Sequence, residues 1–190
     1  TGDSHQEYML KVLLAEVEYR ELKRRDLNLK KAGFGNIKTF ENYHFEDIEL
    51  PAGMDRELLI KADFLNRREN LILYGRNGTG KSHIASAIGL AAIRQGNEVI
   101  CTNQTELLQI LQTAKATGNY SRKLKSLSKV ALLIIDDFGL KPLRTPQDED
   151  LHDLIAQRYE HAATIVTSNL ALHEWQQAFS NQLLGAATID

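Results

Sequence analysis

The octet Gly75-Arg76-Asn77-Gly78-Thr79-Gly80-Lys81-Ser82 follows the G-x-x-x-x-G-K-[ST] order of a phosphate-binding loop. Each residue type has a physical reason. Glycines let the backbone curl until successive N–H groups point into one hollow, and a helix starting near Lys81 adds the positive end of its dipole. Lys81 then reaches terminal phosphates and Ser82 holds magnesium, while His83 joins the candidate binding set in the first helical turn.

A second constellation is the apolar run Leu132-Leu133-Ile134-Ile135 closing in Asp136-Asp137. In phosphate-loop enzymes the first acid at the end of such a strand supports Mg²⁺ and an adjacent acid polarises the attacking water, so Asp136 is assigned to the metal and Asp137 to the water. A third is Thr164-Ile165-Val166-Thr167-Ser168-Asn169, a strand ending in polar side chains. Taken alone Asn169 is a turn residue; beside the first two motifs it is a candidate to hydrogen-bond the γ-phosphate or the water.

These residues need a scaffold that brings them to one edge. From Asn70 onward, short apolar runs alternate with helical periods, the pattern of a parallel sheet with crossover helices. Strands are expected at 71–74, 98–102, 130–136 and 164–168, with helices near 81–95, 105–115, 147–161 and 182–190. The fold class expected is α/β, a phosphate-loop core with a central parallel sheet flanked by helices and an N-terminal helical appendage. The expected division is a basic helix over 1–33, a packed linker over 34–69 and the phosphate-loop core over 70–190.

In the first segment Leu10, Leu13, Leu14 and Val17 follow helical spacing, and Gly33 and Gly35 end the helix. Its second half is basic, with Arg20, Lys23, Arg24, Arg25, Lys30 and Lys31 against Glu21 and Asp26. Two readings stay open, a helix that tracks a phosphate backbone and a plain solvated face. The same pair applies to Ser121 to Lys129, read as a surface loop carrying Arg122, Lys123, Lys125 and Lys129 without an acid. In the linker, Phe40, Phe45 and Ile48 could border a purine ring or simply cover the domain edge.

Composition narrows the classes further. The 190 residues are 43% hydrophobic and 25% charged with a net charge of −2, which excludes a uniformly basic nucleic-acid coat. There is no apolar run of about 18 residues and no apolar signal core, so a cytoplasmic chain without membrane contact is expected. The single Cys101 excludes an internal disulfide framework and a cysteine zinc cluster, and reads as a buried strand thiol. His83, His152, His161 and His173 lack metal-ligand spacing, and Trp175 reads as core.

The basic N-terminal helix, the loop in LYGRNGTGKSHIA, the acid strand LLIIDDFG and the strand end TSN together resemble the IstB-type transposition helper ATPases. These are AAA+ proteins related to the helicase loader DnaC and the replication initiator DnaA. The likeness runs from about Tyr8 to Asp190. The lead-in Asn66-Arg67-Arg68-Glu69-Asn70-Leu71 and the stretch Thr167 to Trp175 favour the helper over the loader. The resemblance implies that Lys81, Ser82, Asp136, Asp137 and Asn169 act as assigned, with ATP, ADP and Mg²⁺ as cofactors. It implies an oligomer that assembles with ATP on double-stranded DNA and recruits a transposase, with a replicative helicase loader as the alternative. The chain reads as a fragment that stops short of the family's intersubunit arginine and helical lid, so weak hydrolysis is expected. A small-molecule kinase shares the phosphate loop but needs an acceptor site, for which only Lys141-Pro142-Leu143-Arg144 is comparable. A nucleotide-regulated scaffold that never hydrolyses is the remaining alternative.

Overall fold

The computed structural model describes residues 4–41, 43–46, 48–51 and 53–189. Four strands, β1 (Leu71–Tyr74), β2 (Val99–Asn103), β3 (Leu132–Phe138) and β4 (Ala163–Ser168), form one sheet in the order β1-β4-β3-β2. All three pairings are parallel, with Leu71 opposite Ile165, Ile134 opposite Ile165 and Cys101 opposite Ile134. Parallel strands require crossovers, and helices supply them. The helix α4 (Lys81–Arg94) follows β1, α5 (Gln104–Ala116) and α6 (Tyr120–Lys129) follow β2, and α7 (Gln147–Arg158) follows β3. After β4 come a 3₁₀ helix (Leu172–Ala178) and α8 (Gln182–Ile189).

The sheet is covered on both faces. One layer packs α4 with Leu132, Ile134, Ala163 and Ile165, and the other packs α5, α6 and α7 with Leu133, Ile135 and Val166. This is why the LLII run lacks alternation: both faces of β3 are buried, at 0 to 1% exposure. Trp175 lies in the second layer against Phe138, ring centroids 4.4 Å apart. Cys101 is half-buried on β2, and burial, followed by the charges of Asp136 and Glu106, pushes its thiol up to about 12.

The first 27-residue helix, α1 (His5–Lys31), starts at Ser4, whose hydroxyl accepts from Glu7 N while Ser4 N donates to the Glu7 carboxylate. Its apolar face has no cover within the described chain: Leu10, Leu13, Leu14 and Val17 are 54 to 59% exposed. Only the last turn docks. Asn28 Nδ2 donates to Asn97 O at 3.1 Å and Cys101 N donates to Ala32 O at 2.6 Å. The chain then turns at Gly33, φ 79°, where a Cβ would lie 2.8 Å from the Cys101 carbonyl, so a side chain does not fit.

Three expectations need correction. Ser121 to Lys129 lies in the helix α6, because Leu124 and Leu127 bury one face and the half-buried Tyr120, one turn earlier, packs beside them. Its docking onto α7 is fixed by Asp150, a buried carboxylate that accepts from Tyr120 Oη at 2.7 Å and pairs with Lys115 Nζ at 2.5 Å. The strand expected over 130–136 runs instead over Leu132–Phe138, so the two acids lie inside its last residues, where the register with β4 is irregular. The linker holds two short helices, α2 (Arg56–Ile60) and α3 (Phe64–Arg67), capped at the first by Asp55. In that linker Phe40, Tyr43, Phe45 and Ile48 pack against the α4 layer.

Candidate nucleotide site

The C-terminal ends of β1, β3 and β4 converge on one edge. The loop 75–80 leaves β1 and is tied to β4 by Gly75 N donating to Ser168 O at 3.2 Å. Gly75, Gly78 and Gly80 all have positive φ, at 147°, 82° and 86°, the conformations that turn backbone N–H groups into a hollow. Lys81 Nζ donates to its own loop, to Gly75 O at 2.8 Å and Arg76 O at 2.9 Å. Those carbonyls stand where phosphate oxygens would compete for the ammonium. Thr79 Oγ1 donates to Arg76 O at 2.9 Å and closes the curl, while Asn77 and Gly78 form its exposed tip.

Ser82, in the first turn of α4, donates its hydroxyl to Asp136 Oδ1 at 2.9 Å. Thr167 on β4, fully buried, donates to the same Oδ1 at 2.5 Å and accepts from Asp137 N at 3.0 Å. Asp136 Oδ2 accepts nothing from the described residues. Asp137 is exposed and held at φ 56°, a left-handed conformation that costs a non-glycine residue about 1 kcal/mol. Burial raises the Asp137 pKa, the neighbouring Asp136 charge adds to this, and the Lys81 ammonium opposes it. Asn169 follows β4 directly, half-buried, with no hydrogen bond to the described residues.

His83 faces away from this hollow. Its Nε2 donates to Thr39 O at 2.7 Å, and its ring lies 4.8 Å from that of Tyr43. Tyr43 covers the loop from outside: its Oη donates to Thr79 O at 3.4 Å, and a Cβ on Gly80 would meet the Tyr43 Oη at 2.6 Å. The linker therefore clasps the phosphate loop, and His83 serves that clasp. Phe40 and Phe45 stack on each other at 5.5 Å and Arg56 lies over Phe45 at 4.5 Å.

The six basic residues of α1 and those of α6 are not brought to this edge. Arg20 pairs with Glu16 at 2.7 Å, Arg25 lies 3.8 Å from Glu21, and Lys23 sits over the Tyr19 ring. Arg24, Lys30 and Lys31 form no ion pair among the described residues. Arg122 and Lys123 line a groove of 770 Å³ between α5 and α6, with Lys125 exposed nearby.

Sequence reading missed two residues of the site. Thr167 stood in the TSN strand without a role, and its position on β4 opposite the acids was the available signal. Gln104, 5% exposed, accepts from Gly139 N at 2.7 Å and donates to Lys141 O at 2.9 Å, holding the segment that follows the acids. Nothing in the local sequence marks it.

The donor set suits a magnesium nucleotide. Ser82 and Asp136 offer hard oxygens beside a phosphate hollow, and no group of three or more His, Cys, Asp or Glu side chains able to hold a metal occurs among the described residues. A cation with two protein oxygens takes the rest of its shell from phosphates and water, as magnesium does.

Comparison with known proteins follows the same lines. The family model described as IstB-like ATP binding protein matches residues 2–190. The insertion sequence IS21 ATP-binding protein of Pseudomonas aeruginosa is 31% identical over 190 residues, 98% of this chain and 71% of the relative. An insertion-sequence ATP-binding protein of Sinorhizobium fredii is 34% identical over 192 residues, 98% of this chain and 75% of the relative. Among solved structures, the DnaC helicase loader superposes with a TM-score of 0.61 at 22% identity, covering 79% of this chain and 89% of that one. The replication initiator DnaA bound to AMPPCP and single-stranded DNA gives 0.60 at 18% identity, covering 77% and 47%. At these identities the likeness is one of fold, a parallel α/β phosphate-loop core.

Proposed function

This chain belongs to the IstB-like ATP-binding protein family, and from that premise we propose that it is an ATPase that assembles on DNA and recruits or stimulates a transposase. The observation that carries the reading is the convergence of the 75–82 loop, the Ser82–Asp136 pair and the Asp137–Thr167 contact on one sheet edge. The loop amides and the α4 N-terminus bind the phosphates. Lys81 leaves the Gly75 and Arg76 carbonyls for the phosphate oxygens. Ser82 and Asp136 would hold magnesium, which draws charge from the transferring phosphoryl group. Asp137 orients a water and takes its proton as the water oxygen bonds to the γ-phosphorus and the bond to the β-phosphate oxygen breaks, giving ADP and phosphate. Asn169, whose side chain makes no hydrogen bond to the described residues, hydrogen-bonds the γ-phosphate or that water.

For DNA, the uncompensated Arg24, Lys30 and Lys31 on α1 and Arg122, Lys123 and Lys125 on α6 supply contacts to phosphates without reading bases. Binding is then tolerant of sequence and falls steeply with salt. The arm over 1–33, the clasp over 34–69 and the core over 70–190 divide these tasks. No helix among the described residues is long and apolar enough to cross a membrane, and the reading places the protein in the cytoplasm with its DNA.

Sedimentation velocity with ATP and Mg²⁺, with and without a short duplex, tests it together with phosphate release. A large assembly that needs both ATP and DNA is expected. A monomer indifferent to both removes the assembly reading. Co-purification with a replicative helicase in place of a transposase would change the partner to that of a helicase loader.

A further inference from the structure

Thr167 touches both acids, and the chemistry of the groups dictates the direction of each bond. The Asp137 N–H can only donate, so the Thr167 oxygen accepts it at 3.0 Å and its single proton goes to Asp136 Oδ1 at 2.5 Å. Ser82 also donates to that Oδ1, at 2.9 Å. One carboxylate oxygen thus takes both protein hydrogen bonds and the other is left for a cation. On the second acid, the amide bond secures a left-handed backbone that an aspartate does not adopt by preference.

The hydroxyl has little freedom to do otherwise. Thr167 is 0% exposed, in the last residues of β4, and the two heavy atoms on its Cβ restrict its χ1 rotamer. We propose that Thr167 is a positioning residue for nucleotide hydrolysis, one hydroxyl that aims the metal-supporting carboxylate and fixes the backbone of the water-orienting one. Because Asn169 lies two residues further on the same segment, the acids and the phosphate-sensing asparagine share one rigid support. The inference rests on the ATPase reading above.

The experiment compares Thr167→Val, which keeps the shape and loses the hydroxyl, with Thr167→Ser, which keeps the hydroxyl. Steady-state hydrolysis is read beside the affinity of Mn²⁺ for the protein–ADP complex by electron paramagnetic resonance. Thr167→Val is expected to lower kcat by about 10- to 100-fold with KM for ATP within about threefold, and to weaken Mn²⁺ by about tenfold. Thr167→Ser restores both to within about threefold. Wild-type kcat and Mn²⁺ affinity in Thr167→Val overturn the proposal, as does a serine variant as impaired as the valine one, since the methyl would then matter rather than the hydroxyl. If Thr167→Val does not fold, Thr167→Cys, similar in volume and a poor donor, carries the same expectation. Absence of hydrolysis in the wild type would count against the ATPase reading; the Mn²⁺ comparison still judges Thr167.

Discussion

At the N-terminal ends of β3 and β4 the buried Arg158 donates to Leu127 O at 2.6 Å, Val130 O at 2.9 Å, Thr164 Oγ1 at 3.0 Å and the Ala163 carbonyl, while Asn70 Oδ1 accepts from Thr164 N at 2.9 Å. At the C-terminal ends of the same strands, one Asp136 oxygen and the side chains of Asp137 and Asn169 take no hydrogen bond from the described residues, and Lys81 leans on loop carbonyls. Both edges contain charged groups that water does not fully solvate. At the base, the chain itself satisfies the guanidinium, and burial lowers its pKa to about 10, with no carboxylate partner among the described residues. At the top, the groups are arranged but incomplete, which is the condition of a site that a ligand finishes. The difference between the two edges is thus one of hydrogen-bond completeness.

The sharpest test of the upper edge is Asp137→Asn, which should slow hydrolysis by about 10²- to 10⁴-fold while leaving ATP affinity within about threefold. Normal turnover would remove Asp137 from the role of base. For the lower edge, Arg158→Leu leaves several buried carbonyls without donors and should cost about 3–5 kcal/mol in urea unfolding. A loss below about 1 kcal/mol would mean that water replaces the guanidinium and that the base is not a closed network. Lys81→Ala should weaken ATP binding by about 10- to 100-fold, or about 1.4–2.7 kcal/mol, with little change in unfolding, because its present partners lie in an exposed loop. Unchanged affinity would leave the lysine a loop brace only.

The smallest effect joins function to stability. The folded-state pKa of Asp137 lies above its ordinary value, so its contribution to stability is complete below the ordinary carboxylate range and is lost as pH rises through the raised value. Asp137→Asn should therefore melt slightly higher than wild type at neutral pH, with the gain fading in acid. Asparagine also tolerates the left-handed backbone better than aspartate. A lower melting temperature at pH 7 would show that the carboxylate stabilises the fold rather than serving the site.

Much of this was legible because contiguous spacing carries it. The loop octet, the LLII run before two acids and the alternation of apolar runs with helical periods specify local conformation, and all four strands lie within two residues of their expected bounds. The helix of α6 is equally local but its charge masks it: SRKLKSLSK carries four basic residues beside only two buried ones, Leu124 and Leu127, with Tyr120 half-buried. His83 joins the candidate binding set because it is adjacent in sequence to the loop, whereas its hydrogen bond to Thr39 turns it toward the linker.

By itself the sequence determined that this chain binds phosphate on a parallel α/β sheet, because glycine, lysine and hydroxyl at fixed offsets and the periods of strand and helix are properties of neighbouring residues. Only the tertiary structure decided that Thr167 joins the two acids, that Gln104 clasps the segment behind them, that Tyr43 covers Gly80 and that Arg158 closes the far edge. Each of those contacts pairs residues about 30 or more positions apart, or depends on the direction in which a buried side chain points, and a hydrogen bond exists only where folding has brought donor and acceptor to within about 3 Å.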